Sequence, residues 1–97
     1  MPTFVVLGKY TREGIEKIKE SPKRLEAARQ VTKSVGGKIK EFYYTMGRYD
    51  FVALVETPSV EATMQALFAV GSVGAVKTET LAAIPAEKGA EIIKKVP

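Results

Sequence analysis

The 97-residue sequence contains no cysteine and no histidine. The lack of cysteine excludes disulfides, thiolate nucleophiles and zinc–sulfur sites. The lack of histidine removes the side chain that serves most often as a general base or as a metal ligand. Any chemistry must therefore use Asp, Glu, Lys, Arg, Tyr, Ser or Thr, or a bound cofactor.

The sequence also lacks long apolar runs and a visible export signal. No apolar run approaches the roughly 20 residues that a membrane span needs. The start, Met1-Pro2-Thr3-Phe4, has no basic segment followed by an apolar stretch. Apolar residues make up 45% and charged residues 27%, a balance typical of a folded domain. We expect residues 1–97 to form one domain of a cytoplasmic protein, without membrane contact.

The net charge of +4 does not by itself indicate a nucleic-acid-binding protein. Such proteins usually collect Lys and Arg on one face with aromatic residues interleaved. Here the cations are spread along the chain, and several have a carboxylate at helical four-residue spacing, such as Glu13 with Lys17. This pattern is typical of solvated helix surfaces and disfavours nucleic acid as a partner.

Apolar periodicity and turn residues predict four strands and four helices. The strands are predicted over 4–8, 38–45, 49–56 and 74–84, and the helices over 12–19, 22–35, 58–71 and 85–95. Three helix starts carry a hydroxyl residue suited to an N-cap: Thr11, Ser21 before Pro22, and Thr57 before Pro58. Ile15 and Ile18 are expected to face inward on the first helix.

This element order is strand-helix-strand, then strand-helix-strand, then an extra helix. It predicts an α+β fold, a ferredoxin-like βαββαβ sandwich with an added C-terminal helix. Both central helices would cover one face of a four-stranded antiparallel sheet.

The uncovered face of this sheet should be polar if it met water, but the strands are apolar on both faces. Strand one alternates Val5 and Leu7 with Phe4 and Val6. An exposed apolar patch of this size normally marks an interface. We therefore expect self-association, most simply an isologous dimer through this face.

Between the second and third strands lies the segment Gly47-Arg48-Tyr49-Asp50. A glycine there frees the backbone for a turn, and a guanidinium, a phenol and a carboxylate follow it directly. Asp50 has two interpretations. It could act as a general base in a low-polarity site, or it could be structural, capping the turn with Arg48 as its countercharge.

Together with other segments, this motif resembles the GYD family, named for a Gly-x-Tyr-Asp motif that Gly47, Tyr49 and Asp50 match. The similar segments are 10–15, 21–24, 36–41 and 67–80. The resemblance extends through about Ile84. It implies a small domain of the dimeric α/β barrel type, similar to the effector domains of Lrp/AsnC-like regulators. It does not imply an activity.

Other candidate motifs favour structure over chemistry. The aromatic run at Phe42, Tyr43 and Tyr44 could form a pocket wall or pack in the core and interface. Residues 21–24 could present N–H groups to an anion at a helix start, but we interpret them as a cap with exposed cations. Gly71 and Gly74 lack the spacing of a dinucleotide-binding loop. We expect no cofactor and no metal ion.

The leading hypothesis is an oligomeric module that binds a small organic ligand at the sheet–helix or dimer interface. The predicted ligand-binding residues are Tyr10, Tyr44, Arg48, Tyr49 and Asp50. One alternative is a cofactor-independent enzyme, monooxygenase- or isomerase-like, that uses Asp50 and Tyr49. Another is a structural or regulatory assembly subunit without a ligand.

Overall fold

A computed structural model describes all 97 residues of the chain. The strands are β1 (Thr3–Tyr10), β2 (Lys38–Tyr44), β3 (Phe51–Glu56) and β4 (Val76–Ala83). The helices are α1 (Arg12–Glu16), α2 (Ser21–Ser34), α3 (Val60–Gly71) and α4 (Ala86–Lys94), with a 3-10 turn at Ile18–Glu20 between α1 and α2.

The four strands form one sheet in the order β2-β3-β1-β4, and every pairing is antiparallel. With one helix inserted after β1 and one after β3, this is the ferredoxin-like arrangement. The predicted α+β fold with an added C-terminal helix is confirmed.

The two faces of the sheet differ in burial. On β1, Phe4, Val6 and Gly8 are buried, while the alternate residues Val5 and Leu7 are only half-buried. Alternation along a strand places these two sets on opposite faces. We call the face carrying Val6, which lies under α2 and α3, the inner face. The other is the open face, formed by Val5, Leu7, Val52, Leu54, Leu81 and their neighbours.

Of the three predicted helix caps, one is confirmed and two are wrong. The Thr11 side chain accepts a hydrogen bond from the Gly14 N–H at 3.1 Å. Ser21 instead lies inside α2, which follows Glu20 without a side-chain cap. Helix α3 begins at Val60 and is capped by Ser59, whose hydroxyl accepts from the Ala62 N–H at 3.1 Å.

Thr57, the third predicted cap, has a different structural role. It is fully buried, and its hydroxyl lies 2.6 Å from that of Thr63. A buried hydroxyl needs a hydrogen-bond partner, and this pair satisfies both groups. Thr57 therefore anchors the start of the β3–α3 connection to the body of the helix.

Two other local predictions are wrong. Ile15 and Ile18 are 53% and 41% exposed, because the predicted helix over 12–19 breaks at Lys17 into α1 and the 3-10 turn, which interrupts the helical period. The third strand begins at Phe51 instead of residue 49, because Tyr49 and Asp50 belong to the preceding loop. The remaining element boundaries lie within two residues of the predicted ones.

Candidate ligand-binding site

A cleft of about 580 Å³ separates the inner face of the sheet from α2 and α3. Its lining is mostly apolar and includes Val6 and Val55 from the sheet and Val31 and Leu67 from the helices. Many of the other lining residues are alanines: Ala27, Ala28, Ala53, Ala66, Ala69 and Ala75. Side chains this small do not fill the space between two layers that pack about 10 Å apart. The sequence itself therefore leaves room in this layer.

Three aromatic rings, one each from β1, β2 and β3, line a wall of the cleft. The rings of Phe42 and Phe51 are stacked with their centroids 5.0 Å apart. Tyr10 meets Phe51 edge-on at 6.1 Å. Phe51 lies directly over Gly8 of β1, where a Cβ atom would stand 1.9 Å from the Phe51 Cζ. Because Gly8 has no side chain, the Phe51 ring can lie over β1 and line the cleft.

A chain of three hydroxyl groups lies beside this aromatic wall. The Ser21 Oγ is 2.7 Å from the Tyr10 Oη and 3.1 Å from the Tyr44 Oη. Ser21 is 7% exposed, and Tyr10 and Ser21 both line the cleft. The Ser21 hydroxyl caps no helix. It instead connects the end of β1, through Tyr10, to the end of β2, through Tyr44. The sequence predicted Ser21 as an N-cap and so did not predict this role.

Asp50 does not line the cleft but holds one of its walls. Its Oδ2 accepts a hydrogen bond from the backbone N–H of Tyr10 at 2.8 Å. The Asp50 N–H donates to the Gly8 carbonyl at 2.8 Å, and the Asp50 carbonyl accepts from the Thr45 N–H at 2.9 Å. Asp50 therefore joins the ends of β1, β2 and β3. The carboxylate acts across the sheet, and Arg48 forms no ion pair with it.

The loop before Asp50 has the geometry that its glycine permits. Gly47 has φ of +103°, a conformation that residues with a side chain rarely adopt. The Thr45 hydroxyl donates to the Tyr49 carbonyl at 2.6 Å and closes the loop from the other side. Arg48 and Tyr49 are thereby carried away from the cleft.

Tyr49 points toward the open-face residue Glu79. Its hydroxyl donates to the Glu79 Oε2 at 3.0 Å, and the Arg48 guanidinium carbon lies 5.8 Å from the ring centroid. The hydrogen bond to Glu79 raises the pKa of Tyr49 above its ordinary value of 10.0, with smaller contributions from desolvation and the Glu79 charge; Arg48 opposes them. The hydrogen bond from Tyr43 to Glu41 likewise raises the pKa of Tyr43.

The five predicted site residues thus separate into two groups. Tyr10 lines the cleft and Tyr44 is hydrogen-bonded to the same serine, with Asp50 behind them. Arg48 and Tyr49 lie outside the cleft, on the turn and beside Glu79. Sequence reasoning also missed cleft-lining residues on the α1–α2 segment, where Lys17, Lys23 and Arg24 stand at one end of the cleft. No local sequence pattern predicts that the starts of α1 and α2 lie close to the edge of the sheet.

Sequence comparison places the chain in a known family. Residues 4–93 match the family described as the GYD domain. The chain belongs to the GYD domain family. The match extends beyond Ile84, where the sequence resemblance was expected to end, and includes most of α4.

This GYD domain is 37% identical over 86 residues to the glutamine synthetase and cystathionine beta-lyase binding protein of Thermus thermophilus. That alignment covers 88% of this chain and 90% of the relative. A crystal structure of a protein from Thermus thermophilus is also similar, with a TM-score of 0.56 and 28% identity, over 88% of this chain and 95% of that one.

The GYD domain also has the fold of a feast or famine regulatory protein from M. tuberculosis, solved in complex with L-methionine. The TM-score is 0.67 at 18% identity, over 88% of this chain. The chain spans about half the length of that regulator, 51%. At this identity the likeness concerns the fold alone.

Two further observations concern the predicted absence of metal and membrane contact. No group of three or more His, Cys, Asp or Glu residues lies close enough together to hold a metal ion. None of the helices combines the length and the apolar character needed to cross a bilayer. The cytoplasmic location stays a prediction.

Proposed function

We propose that this GYD domain is a homo-oligomeric module that binds a small organic ligand in the cleft between the sheet and α2 and α3. The observation that carries the proposal is the cleft itself, about 580 Å³ in volume and mostly apolar, with the Tyr10 and Ser21 hydroxyls in its wall. Ligand sites in proteins are typically concave and apolar, with a few polar groups that fix the orientation of the ligand.

In this proposal the predicted site residues have separate tasks. Tyr10 and Ser21 offer hydroxyls to a polar group of the ligand, and Tyr44 holds Ser21 in place. Asp50 fixes the backbone of Tyr10 and thereby the position of the aromatic wall. Arg48 and Tyr49 lie outside the cleft. Because Tyr49 donates a hydrogen bond to Glu79 on the open face, these two residues serve the contact between copies of the chain.

Homo-oligomerisation is supported by the open face of the sheet. Val5, Leu7, Val52 and Leu54 form a contiguous apolar set on the two central strands, and Leu81 on the edge strand is 49% exposed. A second copy presenting the same face would remove this surface from water in an isologous contact. Burial of apolar surface stabilises such a contact by roughly 25 cal/mol per Å².

The test is to fill the cleft without disturbing the rest of the molecule. Ala28 is half-buried on α2 and lines the cleft, so Ala28→Leu places three additional carbon atoms in the ligand space and keeps a good helix former. We expect calorimetric titration with 1-octanol, an uncharged probe, to show binding to the wild type and a loss of about tenfold in affinity for Ala28→Leu.

The matched control is Ala90→Leu on α4, which adds the same side chain at a position outside the cleft. This variant should bind 1-octanol as the wild type does. Equal affinity of the wild type and Ala28→Leu, or no binding to the wild type, would contradict the proposal. Mass spectrometry of the purified wild-type protein under native conditions would identify any ligand that accompanies it.

A second candidate function is a regulatory assembly subunit that binds another protein. It is favoured by the Thermus thermophilus relative named as a binding protein for two enzymes, and by an apolar stripe on α3. Val60, Met64 and Phe68 follow each other at four-residue spacing and are 57%, 47% and 69% exposed. The wild type should co-elute with purified glutamine synthetase from the organism that carries this chain, and Phe68→Ser should abolish that co-elution. No co-elution of the wild type would exclude this candidate for that enzyme.

A further inference from the structure

The charged residues that line the cleft all come from one short segment of the chain. They are Glu13, Lys17, Glu20, Lys23 and Arg24, on α1, the 3-10 turn and the first residues of α2. Every other lining residue is apolar or carries only a hydroxyl group. The cleft therefore has one charged end and an apolar body.

At this charged end, cations exceed carboxylates by three to two. Arg24 is held in place, since its guanidinium lies 3.8 Å from the Glu20 carboxylate and donates to the Lys17 carbonyl at 3.4 Å. Its side chain is 24% exposed. This contact offsets the charge of Glu20 and leaves Arg24 at the cleft wall.

Lys17 and Lys23 form no ion pair with any carboxylate of the chain. Both are exposed, so their ammonium groups remain solvated and available at the mouth of the cleft. The remaining carboxylate, that of Glu13, stands on the side of the β4 entry, where its Oε2 lies 3.7 Å from the place a Cβ of Gly74 would occupy. The lysines thus provide positive charges that no carboxylate of the chain pairs within 4.0 Å.

We propose that the ligand of this cleft is an amphipathic anion, a carboxylate with an apolar body, which enters head-outward with the carboxylate at the Lys17 and Lys23 end. This inference rests on the function proposed above and adds the chemical class of the ligand. The apolar body is buried against the alanines and the Phe42–Phe51 wall, and the carboxylate meets the unpaired ammonium groups. A cationic head at the same place would meet like charge.

The inference is tested with three probes that share one apolar body and differ in head group: octanoate, 1-octanol and octyltrimethylammonium. Titrations are calorimetric, at pH 7, on the full chain and below the micellar concentration of each probe. We expect octanoate to bind about fivefold more tightly than 1-octanol and octyltrimethylammonium to bind most weakly. Raising the salt concentration should reduce the affinity for octanoate and leave that for 1-octanol unchanged, since salt screens exposed charges.

Paired variants locate the effect. The double substitution Lys17→Gln and Lys23→Gln removes two exposed charges, and we expect it to bring octanoate affinity down to that of 1-octanol while leaving 1-octanol binding as it was. The control, Lys88→Gln with Lys94→Gln on α4, removes the same net charge outside the cleft and should change neither affinity.

Equal binding of octanoate and 1-octanol to the wild type would overturn the anionic ligand class and leave the proposed cleft function intact. An equal loss of octanoate affinity in both double variants would also overturn it, because net charge instead of the local lysines would then be responsible. Failure of all three probes to bind would instead contradict the proposed function itself.

Discussion

At the scale of single residues, Asp50 uses its carboxylate to hold backbone. Its Oδ2 accepts from the Tyr10 N–H at 2.8 Å, at the end of β1. Asp50, which the sequence suggested as a possible general base, therefore positions the aromatic wall of the cleft.

Removing this acceptor should destabilise the fold. We expect Asp50→Ala to lower the free energy of unfolding by about 1–3 kcal/mol, because the part-buried Tyr10 N–H loses its partner. Asp50→Asn keeps an oxygen acceptor and should cost less. Urea denaturation measures both. Wild-type stability of the alanine variant would show that the carboxylate has no structural role.

Tyr49 should show its contact with Glu79 in its titration. The hydrogen bond raises the pKa of Tyr49 above 10.0, so the fold favours the protonated phenol. This contribution to stability is present below the ordinary pKa and is lost as the pH rises through the raised one. NMR titration of labelled tyrosine should give a later midpoint for Tyr49 than for the same residue in Glu79→Gln. An unchanged midpoint in that variant would show that the two side chains do not interact in solution.

At the scale of elements, the sequence predicted every strand, the long helices and their order. Apolar periodicity, together with glycine and proline residues at the ends of the elements, carries that information locally. The errors lie where a side chain finds a distant partner: Ser21 binds two tyrosines instead of capping α2, and Thr57 pairs with Thr63. Such partners are set by tertiary packing, which no local pattern encodes.

The same reasoning explains what could be predicted of the site. Tyr10 and Tyr44 were both predicted ligand-binding residues, because aromatic side chains that carry a polar group are typical of ligand pockets. Their link through Ser21 was not predictable, since the helix that carries Ser21 had to be placed against the sheet first. Lys17 and Lys23 looked like solvated helix charges, and only the cleft beside them gives them another role.

The contact between β1 and β3 gives an element-scale prediction. A Cβ atom at Gly8 would lie 1.9 Å from the Phe51 ring, which must then move out of its stack with Phe42. We expect Gly8→Ala to destabilise the protein by about 1–3 kcal/mol and to weaken 1-octanol binding. Gly71→Ala at the end of α3, where a Cβ meets nothing within 4 Å, is the control and should be neutral or slightly stabilising. Equal stability of the two variants would contradict the proposed packing.

At the scale of the whole molecule, the two faces of the sheet have different roles. The inner face and the helices α2 and α3, which line it with several alanines, leave a cleft, while the open face exposes an apolar surface that a second copy would cover. A domain of this size buries little core of its own, and only 13 of 97 residues are buried in the single chain. Assembly would therefore add substantially to the stability of the fold.

The open face can be tested without threatening the fold. Leu81 lies on the edge strand and is 49% exposed in the single chain, so Leu81→Lys should leave the monomer folded. We expect this variant to elute as a monomer in size-exclusion chromatography with light scattering, where the wild type gives a multiple of the chain mass. Met64→Lys on α3 should keep the wild-type mass. A wild-type mass for Leu81→Lys would place the contact elsewhere.

The most direct test of ligand binding in the cleft is an NMR titration of the ¹⁵N-labelled protein with 1-octanol. We expect the amide signals of inner-face and helix residues, such as Val6, Ala53 and Ala66, to shift in a saturable manner, while those of the open-face residues Val52 and Leu81 stay in place. Saturable shifts confined to the open face, or no shifts at all, would contradict a ligand site between the sheet and the helices.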